Sequence, residues 1–143
     1  IIVIEPEEAN CVMKSIKYGT LKKVNIKKQS IMGGMSCAEV SLVPWRILKN
    51  AVNNCVSVSD KYVPQTLTML AKKKFGDKKI IAGECSTPGV ISLISCCNDP
   101  LVKKKLEINE ESNILIIGCE GDTDKNLYNK LYKIGNQKLK KYD

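Results

Sequence analysis

Two rhythms of apolar residues run along this chain. Ile1, Ile2, Val3 and Ile4 are consecutive, and an unbroken apolar run marks a strand covered on both faces. Pro6 ends it. From Glu7 to Lys17 the rhythm changes: Ala9, Val12, Met13 and Ile16 recur at helical intervals, and Gly19 supplies a stop. Leu21–Ser30 is rich in lysine and reads as a surface excursion. "IMGGMSCAEVSL" follows as a Gly-containing loop. Ser41 is placed to cap the next helix, with Pro44 in its first turn. That helix runs to about Asn53, with Val43, Ile47, Leu48, Ala51 and Val52 as its apolar positions and Trp45 near its start. "CVSVSD" alternates and predicts a short strand. Asp60 is expected to cap a second helix over Lys61–Lys73, with Val63, Leu67 and Leu70 inward.

The scheme then repeats. Ile80–Ala82 predicts a strand, Gly83–Thr87 a tight loop, and Pro88 opens a helix that reaches Cys97. "LVKKKLEI" is a short helix or turn. "ILIIG" predicts the last strand, and "DKNLYNKLYKIG" a helix with Leu127, Leu131 and Ile134 aligned. The polar tail from Asn136 is expected to fray. Strands alternating with helices predict an α/β fold, a parallel sheet with helices on both faces. No repeat or low-complexity linker interrupts residues 1–143, which read as one piece of a single domain. The opening "IIVIEP", without Met, reads as cut from something longer.

Composition narrows the function classes. The chain has 143 residues and a net charge of +8. Its lysines are scattered in short groups and Arg46 is the only arginine, so the charge reads as solvated faces rather than a nucleic-acid surface. No apolar run approaches the roughly 18 residues a membrane span needs. Ile1–Ile4 is too short for the core of a secretory signal, and a cytoplasmic location is expected. Seven cysteines occur with no histidine. That excludes Ser-His catalysis and mixed Cys/His zinc sites, and no C-x-x-C is present. Most of the thiols are expected to be reduced and buried.

In an open parallel sheet, ligands bind beyond the carboxyl ends of the strands. Three predicted strands end in such loops: Ile4 into "EPEEANC", Ala82 into "GECSTPG" and Ile117 into "GCEGDTD". "MGGMSC" is a fourth. Gly83, Gly118 and Gly121 let backbone approach a ligand closely. Glu5, Glu84 and Glu120 are open to metal binding or to service as bases. Neither a dinucleotide nor a Walker phosphate motif is present.

Four stretches, in order, resemble diaminopropionate ammonia-lyase. "GGMSCAEVSLVPWRILKNAVNNCVSVSD" is similar to that family's "AGLxCGEP…WeiL…a". "IAGECSTPGV" resembles its "SGESGAVG", "ILIIGCEGDTD" its "iLffsTEGDTD", and "IIVIEPEEANC" its "VEPdkAdC". The family is one of the fold type II pyridoxal-phosphate enzymes, with threonine deaminase and serine racemase as cousins. The resemblance implies the C-terminal portion of the cofactor-binding large domain. It places Cys119 against the pyridine nitrogen, where a neutral group damps the electron sink and favours elimination over transamination. A plain buried thiol is the alternative for Cys119. It places Gly34 and Met35 along the ring, and Gly83 and Glu84 in the pocket wall. Glu120, Gly121 and Asp122 would shape the turn.

The same resemblance implies α,β-elimination of ammonia from 2,3-diaminopropionate or a related amino acid, giving pyruvate and ammonia. Pyridoxal 5'-phosphate is the cofactor it implies, and a homodimer the assembly. The Schiff-base lysine matches no lysine of this chain. No catalytic residue is therefore expected within it, and the missing N-terminal segment of the same enzyme becomes its implied partner. Departures weigh on activity: "CAEV" stands for "CGEP", and Pro88 stands in the "ECSTPGV" loop. Serine racemase holds a divalent cation through Glu-x-x-x-Ala-x-Asp. Glu5 and Ala9 fit, but Cys11 replaces the Asp, so no metal is expected. A Cys11–Cys37 disulfide stays open. The rival to a lyase is a degenerate, non-catalytic remnant that binds a ligand or a partner.

Overall fold

The apolar run at the start of the chain forms β1, Ile2–Pro6. It pairs in parallel with β2, Asn54–Val58, in the register Ile2 to Asn54 through Pro6 to Val58. A parallel pair cannot close through a hairpin; the chain must cross back to its starting edge. Two helices make that return, α1 at Cys11–Tyr18 and α2 at Leu42–Ala51. Parallel strands joined through helices are the α/β class that the alternating pattern predicts. These are features of a computed structural model that describes residues 1–141. The chain divides between Asp60 and Lys61 into two compact units.

In the first unit, Gly19 ends α1 as expected. It takes a left-handed φ of 67°, and its N–H donates to the Ile16 carbonyl at 3.2 Å. The lysine-rich excursion is exposed, apart from Val24, whose N–H donates to the Ala38 carbonyl at 2.8 Å. Met32 is fully buried, and Gly33–Met35 directly after it forms a single 3-10 turn. Asp60 does not cap the following helix. Its carboxylate accepts from Ser30 Oγ at 2.6 Å and from the Ile31 N–H at 2.9 Å. A distant backbone donor outcompetes the helix end, because tying down a long excursion satisfies a buried group. No residue of α2 is buried, and Val43 and Ile47 are exposed.

The second unit holds α3 at Val63–Ala71, α4 at Pro88–Asn98, α5 at Pro100–Lys105 and α6 at Lys125–Leu139. Val63, Leu67 and Leu70 point inward as the spacing predicts. Asp99 caps α5 and Asp124 caps α6, each through its carboxylate. The tail does not fray at Asn136; α6 continues through Leu139, with Gly135 and Leu131 buried.

Two of the four predicted strands are not strands. Ile80–Ala82 and Ile114–Ile117 carry no ladder. Among the described residues, Ile114–Cys119 form no backbone hydrogen bond. An apolar run becomes a strand only when a neighbouring strand supplies a ladder of donors and acceptors; Ile80 finds only a single partner, its N–H donating to the Leu70 carbonyl at 3.2 Å. The thiols also differ from expectation. Only Cys11 and Cys96 are buried, whereas Cys37, Cys97 and Cys119 are exposed. Cys11 and Cys37 are both free thiols, with no disulfide between them.

Candidate functional site

Gly83 ends the Ile80–Ala82 run, and Glu84–Ser86 follows as one 3-10 turn leading into α4. Gly118 ends the Ile114–Ile117 run and leads into Cys119–Asp122. The two turns close on each other around Glu120. The Gly83 N–H donates to the Glu120 carbonyl at 2.9 Å. The Cys85 N–H donates to Glu120 Oε2 at 2.8 Å. Ser86 Oγ donates to the Glu120 carbonyl and accepts from the Glu120 N–H, both at 2.8 Å. One residue's amide, carbonyl and carboxylate are thus all engaged by the neighbouring turn. Glycine is required at 83, because a Cβ there would strike the Gly121 carbonyl and lie 2.7 Å from Glu120 Cγ.

Cys119 lies between Gly118 and the captured Glu120, and it is exposed. Within this chain it is therefore not buried. Glu84 is half-buried; burial pushes its carboxyl up, and the charges of Glu120 and Asp124 push the same way, against a backbone hydrogen bond. Asp122 turns aside to pair with Lys125, which holds its carboxyl below the usual range. The structure therefore brings Gly83, Glu84, Glu120 and Gly121 together with Cys119 at their edge, and leaves Asp122 at the mouth of α6. Glu84, Cys85 and Glu120 each offer a ligand atom, and these lie within 4.8 Å of one another.

Gly34 and Met35 belong to the first unit, in the 3-10 turn Gly33–Met35. There Cys37 donates its N–H to the Met35 carbonyl at 2.9 Å. Glu5, also in that unit, has both carboxylate oxygens engaged. Oε1 accepts from the Val12 N–H and Oε2 from the Met13 N–H, each at 2.8 Å, and the Cys11 thiol reaches Oε1 at 3.7 Å. Glu5 serves the N-terminus of α1, where unpaired N–H groups and the helix dipole favour an anion. Burial and the Glu5 charge push the Cys11 thiol up to about 11.

A mainly apolar cleft of about 390 Å³ in the second unit is lined by Phe75, Ile81, Val90, Ile94 and Ile116. Of the residues singled out in the sequence, Gly118 and Glu120 border it. Ser86 joins these turns without having been singled out in the sequence. A serine in a turn carries no signal of its own, and its partner lies 34 positions away.

No protein-family model matches the chain. Diaminopropionate ammonia-lyase from Escherichia coli K12 is 29% identical over 133 residues, which cover 91% of this chain and 33% of that protein. A crystal structure of the Escherichia coli enzyme, in complex with an aminoacrylate–pyridoxal phosphate azomethine reaction intermediate, superposes with a TM-score of 0.80. It is 28% identical and covers 94% of this chain and 34% of the other. Maize serine racemase, 18% identical with a TM-score of 0.68 over 94% of this chain, shares the fold. The chain spans about a third of the length of the curated relatives it matches. The motif resemblance thus extends to sequence and backbone over nearly the whole chain, which is similar to a C-terminal portion of diaminopropionate ammonia-lyase and has the α/β fold of these pyridoxal-phosphate enzymes.

Proposed function

We propose that this chain is part of a pyridoxal-phosphate-dependent ammonia-lyase that eliminates ammonia from 2,3-diaminopropionate or a related amino acid and yields pyruvate. The observation that carries this is the closure of the Gly83–Ser86 turn on the Cys119–Gly121 turn, within a chain similar throughout to such an enzyme. The residues fit the cofactor. The carboxylate of Glu120 is turned back onto the Cys85 amide, while the neighbouring Cys119 is exposed. Cys119 would face the ring nitrogen, with Gly83, Glu84 and Gly121 forming the wall. Bound there, the cofactor supplies the electron sink for elimination.

The chain's own residues orient and enclose. Burial, and then the charges of Glu120 and Asp124, raise the Glu84 carboxyl above its ordinary range. The lysine that would hold the cofactor comes from outside these 143 residues. The exposed Leu115 and Ile117, in a run without a ladder, support a partner segment of the same enzyme alongside it; a homodimer in the cytoplasm is the assembly and location proposed for the complete protein. The complete protein, given 2,3-diaminopropionate and a coupled lactate dehydrogenase, is expected to consume NADH as pyruvate forms. Cofactor absorbance without pyruvate from diaminopropionate, serine or threonine would instead favour the non-catalytic remnant.

A further inference from the structure

We propose that Ser86 is a positioning residue: its hydroxyl clamps the Cys119–Glu120 peptide and so sets where the Cys119 thiol stands. This deepens the pyridoxal-phosphate reading, on which the thiol's role depends.

The hydroxyl makes two bonds with one residue, donating to the Glu120 carbonyl and accepting from the Glu120 N–H, both at 2.8 Å. A hydroxyl can do both at once, since it offers one donor and two acceptor lone pairs. Ser86 is itself buried, at 7% exposure, so water is a poor substitute for either bond. The clamped N–H is the amide that joins Cys119 to Glu120. Just before Cys119, the Gly118 backbone passes so close that a Cβ there would lie 3.1 Å from Ser86 Cβ. Ser86 therefore touches the chain on both sides of Cys119. Among the described residues, the backbone of Ile114–Cys119 itself makes no hydrogen bond. The hydrogen bonds nearest to that thiol along the chain are those on Glu120, made by Ser86 together with Gly83 and Cys85.

Alanine at 86 removes both bonds, and threonine keeps the hydroxyl. Amide hydrogen exchange on the full chain reads the clamp directly. With Ser86→Ala, the Glu120 amide is expected to exchange about tenfold faster, the size of effect one to two buried hydrogen bonds carry. Cys119 should alkylate faster with iodoacetamide, while Cys96 and Cys97 on α4 keep their rates. Ser86→Thr should restore both readouts. An unchanged Glu120 amide in Ser86→Ala overturns the proposal. So does a general rise in reactivity that includes buried Cys96 and that threonine fails to reverse, because Ser86 would then be only a folding residue. In the complete protein, the cofactor absorbance band is expected to shift in Ser86→Ala and return in Ser86→Thr. A wild-type protein with no such band defeats the cofactor reading, while the exchange result on the clamp stands apart from it.

Discussion

A carboxyl group taken out of water resists ionising, and Glu5 is in that position at 7% exposure. Burial raises its pKa, and the amides of Met13 and Val12 and the Cys11 thiol only partly offset this. The folded chain thus holds the Glu5 proton more tightly than the unfolded chain does. Linkage then sets the sign: the contribution of Glu5 to stability is fully present below the ordinary carboxylate pKa and is lost as pH rises through the raised folded value. Glu5→Gln cannot titrate. Urea unfolding from about pH 4 to about pH 7 should show the wild type losing ground to Glu5→Gln as pH rises. A constant gap across that range would show that Glu5 does not titrate as described. The sequence placed Glu5 at the strand end and left it open as ligand or base. Its engagement with α1 depends on which N–H groups the fold brings within reach.

Helix α6 shows what a single glycine does at the level of elements. It packs along α3, and a Cβ at Gly135 would run into the Pro64 carbonyl and the Thr68 hydroxyl. That hydroxyl is itself spoken for, donating toward the Pro64 carbonyl at 2.9 Å and the Tyr132 carbonyl at 3.2 Å. Gly→Ala inside a helix ordinarily gains about 0.5–1 kcal/mol. Here the gain should reverse, because the helices must part to admit a methyl group, at a cost of about 1–3 kcal/mol. Chemical denaturation of Gly135→Ala tests this, and a stabilised variant would show that α6 is free to move off α3. The composition alone read Gly135 as the helix's end. Leu131, aligned and buried, spoke for the helix, but nothing in the local pattern revealed that the glycine was a contact point.

At the scale of the whole molecule, Leu115 is 87% exposed and Ile117 is 82% exposed. Side chains already in water contribute little to the stability of the chain that carries them. Leu115→Lys and Ile117→Lys should each change the unfolding free energy of the 143-residue chain by no more than about 0.5 kcal/mol. The same changes should weaken assembly in the complete protein, measured as loss of retained cofactor on gel filtration. Large destabilisation of the chain alone would mean that these residues are buried in solution.

Local order was legible in the sequence. Period and punctuation located α1, α3, α4 and α6, the β1 and β2 runs, and the alternation that makes the class α/β. These features depend on neighbours a few positions apart, which the sequence states outright. Tertiary structure decided the rest. It left the apolar runs at 80–82 and 114–117 without strand partners, turned Asp60 to Ser30 and Ile31, and set Ser86 and Cys85 around Glu120. Each of those outcomes joins or fails to join groups about 30 or more positions apart. A hydrogen bond acts over about 3 Å, so only the folded path of the chain determines which distant donor meets which acceptor.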